Sequence, residues 1–363
     1  MRKIVLCIIL VLCFITTPPV FAYTDLPSDP QTWCEFENFF EIIAAMEAEG
    51  LYAHYLAENS QRYENYHAQY PDVSFDRVIA FVNVNVDKGA YTDIQPVANP
   101  DSITLLINKN FCLSSEDVPG DLVYINETCK AREEMALHYK EMRNEMETDG
   151  LRLYAIAGYR SYNKQRSIFD RGVDRFGSAF IADQQYARPG HSEHQAGLSI
   201  DVLQTTVFET MWEAGFETTD QFSWLMKNAH NYGFIFRYPR GYEIYTGYNF
   251  EPWHWRYVGV DVATRMRNMG IVTYEEYYGR FLIPGVLENV REYMLEQQEL
   301  SLKAAGEAKD VTGESIEIES NETGRAEVGR SGRTRASWLL GASDKSPSGS
   351  DDCYKLEQRK LHI

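Results

Sequence analysis

Apolar and polar residues alternate at 198–202 of this 363-residue chain, where Leu198, Ile200 and Val202 are separated by Ser199 and Asp201. That period of two predicts a strand. Further strands are predicted from the apolar runs 78–84 and 103–107, with Asp87-Lys88-Gly89 as a turn between them. Residues 151–157 read as a strand delivering Gly158-Tyr159-Arg160-Ser161, and 242–248 as a strand leading toward Glu251. Helical spacing appears elsewhere. Phe36, Phe39, Phe40, Ile43 and Met46 form an aromatic stripe in the segment 32–67, which Pro71 ends, and the stripe suits core or packing surface. Met135, Tyr139, Met142 and Met146 mark one face of a helix over 132–148, with Gly150 placed for its C-terminal cap. Ser161 is placed to cap a helix carrying Gln165, Ile168 and Phe169. Thr218-x-x-Gln221 opens a helix through Phe222, Leu225 and Ala229 that stops at Gly233, and Thr273-x-x-Glu276 opens another. A last helix is expected over 286–304.

The two ends differ from this pattern. Arg2 and Lys3, the apolar run 4–15 and Val20-Phe21-Ala22 read as a secretory signal over 1–22. The run is shorter than the roughly 20 residues of a bilayer span, although an uncleaved anchor is the alternative. An exported protein is therefore expected. Residues 305–363 are rich in Gly, Ser, Glu, Lys and Arg, and their composition predicts disorder. Between the ends we expect an N-terminal helical region over 23–76 and one catalytic domain over 77–304. A formal net charge of −18 argues against a polyanion-binding surface, so no nucleic-acid partner is expected. Of six cysteines, Cys34, Cys112 and Cys129 fall between signal and tail. A Cys112–Cys129 bridge suits an oxidising compartment, but the sequence leaves it open.

The chemistry concentrates in two stretches, Arg188-Pro189-Gly190-His191-Ser192-Glu193-His194 through Asp201, and Glu251-Pro252-Trp253-His254-Trp255. Two histidines and one carboxylate suit a zinc ion that keeps one position open for water. His194, Asp201 and His254 are the candidate ligands, with His191 a decoy three residues before His194. Glu251 is the spare carboxylate that can take a proton from that water. It precedes His254 by three residues, so the two share a face only in a helical or tight turn.

Ser192-x-His194-x-x-Gly197-x-Ser199-x-Asp201 followed by Glu251-x-x-His254 resembles the zinc D-alanyl-D-alanine carboxypeptidases of the VanY type, relatives of the L,D-carboxypeptidases that trim peptidoglycan. Ser199 stands where that pattern usually has alanine. Three upstream blocks, 82–87, 106–109 and Gly158-Tyr159-Arg160-Ser161-Tyr162-x-x-Gln165, extend the likeness over about 77–280. The resemblance implies an α+β fold with helices on a small antiparallel sheet and the metal in a cleft. It implies His194, Asp201 and His254 as zinc ligands, Glu251 as general base, and Arg160 as the cation that stabilises the oxyanion; a structural ion pair is the alternative for Arg160. Ser192 and Gln165 match substrate-contacting positions, Ser161 lies beside them, and Trp253 would wall the site or serve as core. The implied activity is removal of the terminal D-alanine from peptidoglycan stem peptides, which would place the exported protein outside the cell or at a bacterial cell wall; a monomer is expected. The alternatives are an L,D-carboxypeptidase or wall endopeptidase and, in another class, a zinc-binding module without turnover. Glu251 and Arg160 together favour an enzyme.

Overall fold

A computed structural model of the chain describes residues 39–207 and 215–312, with side chains to 303. The expected signal segment, Phe36, Cys34 and most of the polar tail lie outside these residues. The helices α1 (Phe39–Ala48), α2 (Ser60–Gln69) and α3 (Phe75–Asn83) come first. Four short strands follow: β1 (Gln95–Pro96), β2 (Phe111–Cys112), β3 (Leu122–Tyr124) and β4 (Lys130–Arg132). Then come α4 (Glu133–Thr148), β5 (Tyr154–Ala157), α5 (Tyr162–Phe176), α6 (Ala179–Ala182) and β6 (Ser199–Leu203). The order continues with α7 (Asp220–Asn228), β7 (Phe234–Phe236), α8 (Glu243–Thr246) and β8 (His254–Tyr257). It ends with α9 (Val260–Met269), α10 (Tyr274–Phe281) and α11 (Pro284–Thr312).

A four-stranded antiparallel sheet in the order β5-β6-β8-β7 forms the centre of this α+β fold. One face carries Leu198, Ile200 and Val202 into an apolar core completed by Met135, Tyr139 and Met142 of α4 and Leu225 of α7. A second core joins Phe39, Ile43 and Met46 of α1 to Tyr277 and Phe281 of α10 and Val286 and Val290 of α11. The described part of the N-terminal stripe therefore buries Phe39 and packs Phe40 against C-terminal helices. Closest approach of α3 and α10 falls at Gly279, where a Cβ would stand 2.0 Å from the Ala80 carbonyl oxygen.

Three predicted strands take other forms. Residues 78–84 lie largely in α3, whose Val78, Ile79, Ala80, Phe81 and Val82 are all buried. A short apolar run buried all round has no period that separates strand from helix. The 103–107 run joins no sheet: 103–104 lie in a turn, and Leu105, Leu106 and Ile107 are buried without strand pairing. Instead the Arg256 guanidinium donates to the carbonyls of Ile103 and Leu105, at 3.0 and 2.9 Å, so a side chain supplies what a ladder would. The 242–248 alternation contains the single helical turn α8, closed by left-handed Gly247. The cap of α7 is one residue later than predicted: Thr219 Oγ1 accepts from Phe222 N at 3.2 Å. The last helix starts at Pro284 and reaches Thr312. The Cys129 thiol is free, so no bridge joins it to Cys112.

Candidate metal centre and cleft

Sheet register assembles the centre. Asp201 pairs with Ala157 of β5 on one side and with His254 of β8 on the other, which sets carboxylate and imidazole side by side on adjacent strands. His194 arrives from the 3₁₀ turn Glu193–Ala196, and left-handed Gly197 then turns the chain into β6. Asp201 Oδ1 lies 3.2 Å from His194 Nε2 and 3.1 Å from His254 Nδ1. One ligand atom from each of the three buried residues lies within 4.8 Å of the others.

Each imidazole is held by its far nitrogen. His194 Nδ1 donates to the Gly158 carbonyl at 2.7 Å. Gly158 can offer that carbonyl because it has no side chain: a Cβ there would stand 2.3 Å from Lys130 O. His254 Nε2 faces Glu193 Oε2 at 3.2 Å. The inward nitrogens Nε2 of His194 and Nδ1 of His254 are thus left to share a cation with Asp201. Two imidazoles and a carboxylate, oriented from behind, are the donor chemistry of a zinc site, and these residues fit that ion.

Glu251 reaches the same point through a tight turn. His254 N donates to Glu251 O at 3.1 Å, and Glu251 Oε2 lies 4.0 Å from His254 Nδ1. The Pro252 bend thereby resolves the face that spacing alone left open. Burial, the largest influence, pushes the Glu251 carboxyl up to about 7 despite the attraction of His254. Burial holds His194 down at about 4, with Arg160 adding to the effect. His254 moves the opposite way, up to about 9, because its hydrogen bonds to the Asp201 and Glu193 carboxylates outweigh its burial. Asp201 is held well below the carboxylate range, its burial outweighed chiefly by His194.

Arg160 donates from Nη2 to Asp201 Oδ2 and from Nη1 to Gln165 Oε1, both at 3.0 Å. Its ion pair and its place in the cleft are thus combined in one side chain. Gln165 in turn donates to Ala187 O at 2.8 Å. Ser161 Oγ accepts from Lys164 N at 3.3 Å and caps α5. Ser192 and Trp253 line the cleft, and Trp253 also belongs to the sheet core. His191 sits apart, its Nδ1 on Asn108 O at 2.8 Å. The cleft measures about 760 Å³, room for a short peptide end.

Comparison with known proteins gives the family. A family model described as VanY, D-alanyl-D-alanine carboxypeptidase, matches residues 128–260. The bifunctional D-Ala-D-Ala dipeptidase and carboxypeptidase VanXYC of Enterococcus gallinarum is 35% identical over 161 residues, 43% of this chain and 83% of that protein. The chain belongs to the VanY carboxypeptidase family. It is therefore a peptidase. YodJ of Bacillus subtilis is 37% identical over 194 residues, covering 51% of this chain and 70% of YodJ. Among solved structures, the LdcB LD-carboxypeptidase is 35% identical, with 52% of this chain and 90% of LdcB covered and a TM-score of 0.47.

Spacing did not reveal Glu193, Arg237, Arg256 and Glu275. Arg237 Nε and Arg256 Nη1 donate to Glu193 Oε1 at 2.8 and 3.0 Å, and all three side chains are fully buried. Arg237 also forks onto Glu275 of α10, at 2.9 and 2.6 Å. Burial alone would raise the Glu193 carboxyl, but the two guanidiniums pull it far below the ordinary range. The available signal was slight: an acidic residue between Ser192 and His194, an arginine directly after the apolar strand β7 and another inside β8.

Proposed function

We propose that the chain is an exported, zinc-dependent carboxypeptidase that removes the terminal D-alanine from D-Ala-D-Ala stem peptides of peptidoglycan. The observation that carries this reading is the convergence of His194, Asp201 and His254 in a cleft, with the Glu251 carboxylate 4.0 Å from His254 Nδ1. Zinc held there would supply a Lewis acid and lower the pKa of a coordinated water. Glu251 accepts the proton of the attacking water and returns it to the leaving amine. A carboxyl raised to about 7 suits both halves of that task near neutral pH. Arg160, anchored by Gln165 and Asp201 with 20% of its side chain exposed, faces the negative charge that grows on the scissile carbonyl oxygen. Gln165, Ser192 and Trp253, which line the cleft, are the candidate peptide contacts.

Family membership and the D-Ala-D-Ala activity in the name of VanXYC support the substrate class. Export rests on the charged start and apolar run of residues 1–22. Mass spectrometry of stem pentapeptides and tetrapeptides incubated with the zinc-loaded protein tests the reading. Loss of one alanine from the pentapeptide, abolished by chelation, is expected. Cleavage of the tetrapeptide alone would move the assignment to an L,D-carboxypeptidase, and cleavage of neither would overturn it.

A further inference from the structure

Glu193 lies between Ser192 and His194 at the wall of the cleft, and its carboxylate is fully buried among protein partners. Its Oε1 receives Arg237 and Arg256, and its Oε2 faces His254 Nε2 at 3.2 Å. A carboxylate that already accepts from two guanidiniums carries no proton to donate, so the hydrogen in the contact with His254 belongs to the ring. We propose that Glu193 is a positioning residue for the metal centre: by accepting the Nε2 hydrogen of His254 it aims the Nδ1 lone pair at the metal. This inference rests on the zinc reading above.

The surroundings make Glu193 rigid. Its two arginines cannot follow a moving carboxylate, because Arg256 is also tied to the carbonyls of Ile103 and Leu105. Arg237 is forked onto Glu275 of α10, which also accepts from Asn108 Nδ2 at 3.4 Å. Two carboxylates and two guanidiniums, all fully buried, form a neutral cluster behind the ring. The centre therefore leans on α10 through a chain of hydrogen bonds, with no residue of α10 in the cleft lining. His194 is held from its Nδ1 by Gly158 O, whereas His254 is held from its Nε2. The two ligands accordingly present opposite nitrogens.

Long-range proton–nitrogen spectra of the zinc-loaded protein should show two metal-bound histidines of opposite tautomer, one carrying hydrogen on Nδ1 and the other on Nε2. Two metal-bound histidines of the same tautomer would overturn the proposal. A protein in which zinc shifts no histidine would refute the metal reading instead. Glu193→Gln should weaken zinc binding 10–100-fold by chelator competition. Glu275→Gln, which disturbs the same arginines but leaves Glu193 on the ring, should lower the melting temperature and leave zinc affinity nearly unchanged. Equal losses of zinc affinity in the two variants would mean that the cluster acts through folding alone, and would also overturn the proposal. The wild-type spectra decide the question even if Glu193→Gln does not fold.

Discussion

Glu251→Gln should stabilise the metal-free protein while abolishing turnover, and the stabilisation should depend on pH in a defined window. The Glu251 carboxylate is confined near Asp201 and Glu193, and burial raises its carboxyl from 4.5 to about 7. At about 1.4 kcal/mol for each tenfold change, the charged form costs the fold about 3 kcal/mol above pH 7. Water reaching the 17% of the side chain that stays exposed will trim that figure. Because the folded protein holds the proton more tightly, it binds more protons than the unfolded chain between pH 4.5 and about 7. Stability of the parent relative to Glu251→Gln therefore falls as pH rises through that window and levels off above it. Below about pH 4 the two proteins should melt together, since both then carry a neutral side chain here. At pH 8 in chelator the variant should melt higher, on the order of 5 °C or more at about 2–4 °C per kcal/mol. Melting curves from pH 4 to 9 in chelator provide the assay, with peptide hydrolysis in zinc beside them. A difference in melting temperature that does not change with pH, or a variant less stable at pH 8, would refute the reasoning. So would retention of more than about a hundredth of the parent activity, given the 10²–10⁴-fold or so that general-base catalysis contributes.

Arg160→Lys keeps the charge but loses the fork that joins Asp201 to Gln165. Steady-state kinetics should show kcat falling more than KM rises, whereas an unchanged kcat would remove Arg160 from catalysis. His194→Ala should abolish zinc binding measured by metal analysis, while His191→Ala, whose ring lies on Asn108 O, should retain it. Gly279→Ala places a methyl 2.0 Å from Ala80 O, so α3 and α10 must part; a loss of about 1–3 kcal/mol in denaturant unfolding is expected. Chelation should abolish peptide hydrolysis and readded zinc should restore it, as activity assays before and after dialysis will show.

The sequence by itself pointed to the candidate residues. His194, Asp201, His254 and Glu251 stand out because two imidazoles and two carboxylates fall in two short blocks and suit a zinc ion with a base beside it. Helix faces were legible where the period was clear: the Met135, Tyr139, Met142 and Met146 face of α4 is buried as a stripe. Buried apolar runs were not, since 78–82 is buried on every side and, in 103–107, the carbonyls of Ile103 and Leu105 are met by Arg256, a residue about 150 positions away. Tertiary structure decided what spacing could not express. Register across β5, β6 and β8 put Asp201 beside His254, and a turn at Pro252 brought Glu251 round to their side. The Glu193–Arg237–Arg256–Glu275 cluster had little local signature, because its members come from four separate stretches of chain and become partners only where the sheet meets α10. A ligand's identity is a property of its side chain and can be read from one residue. Its orientation depends on the groups behind it, and distant parts of the chain supply those only on folding.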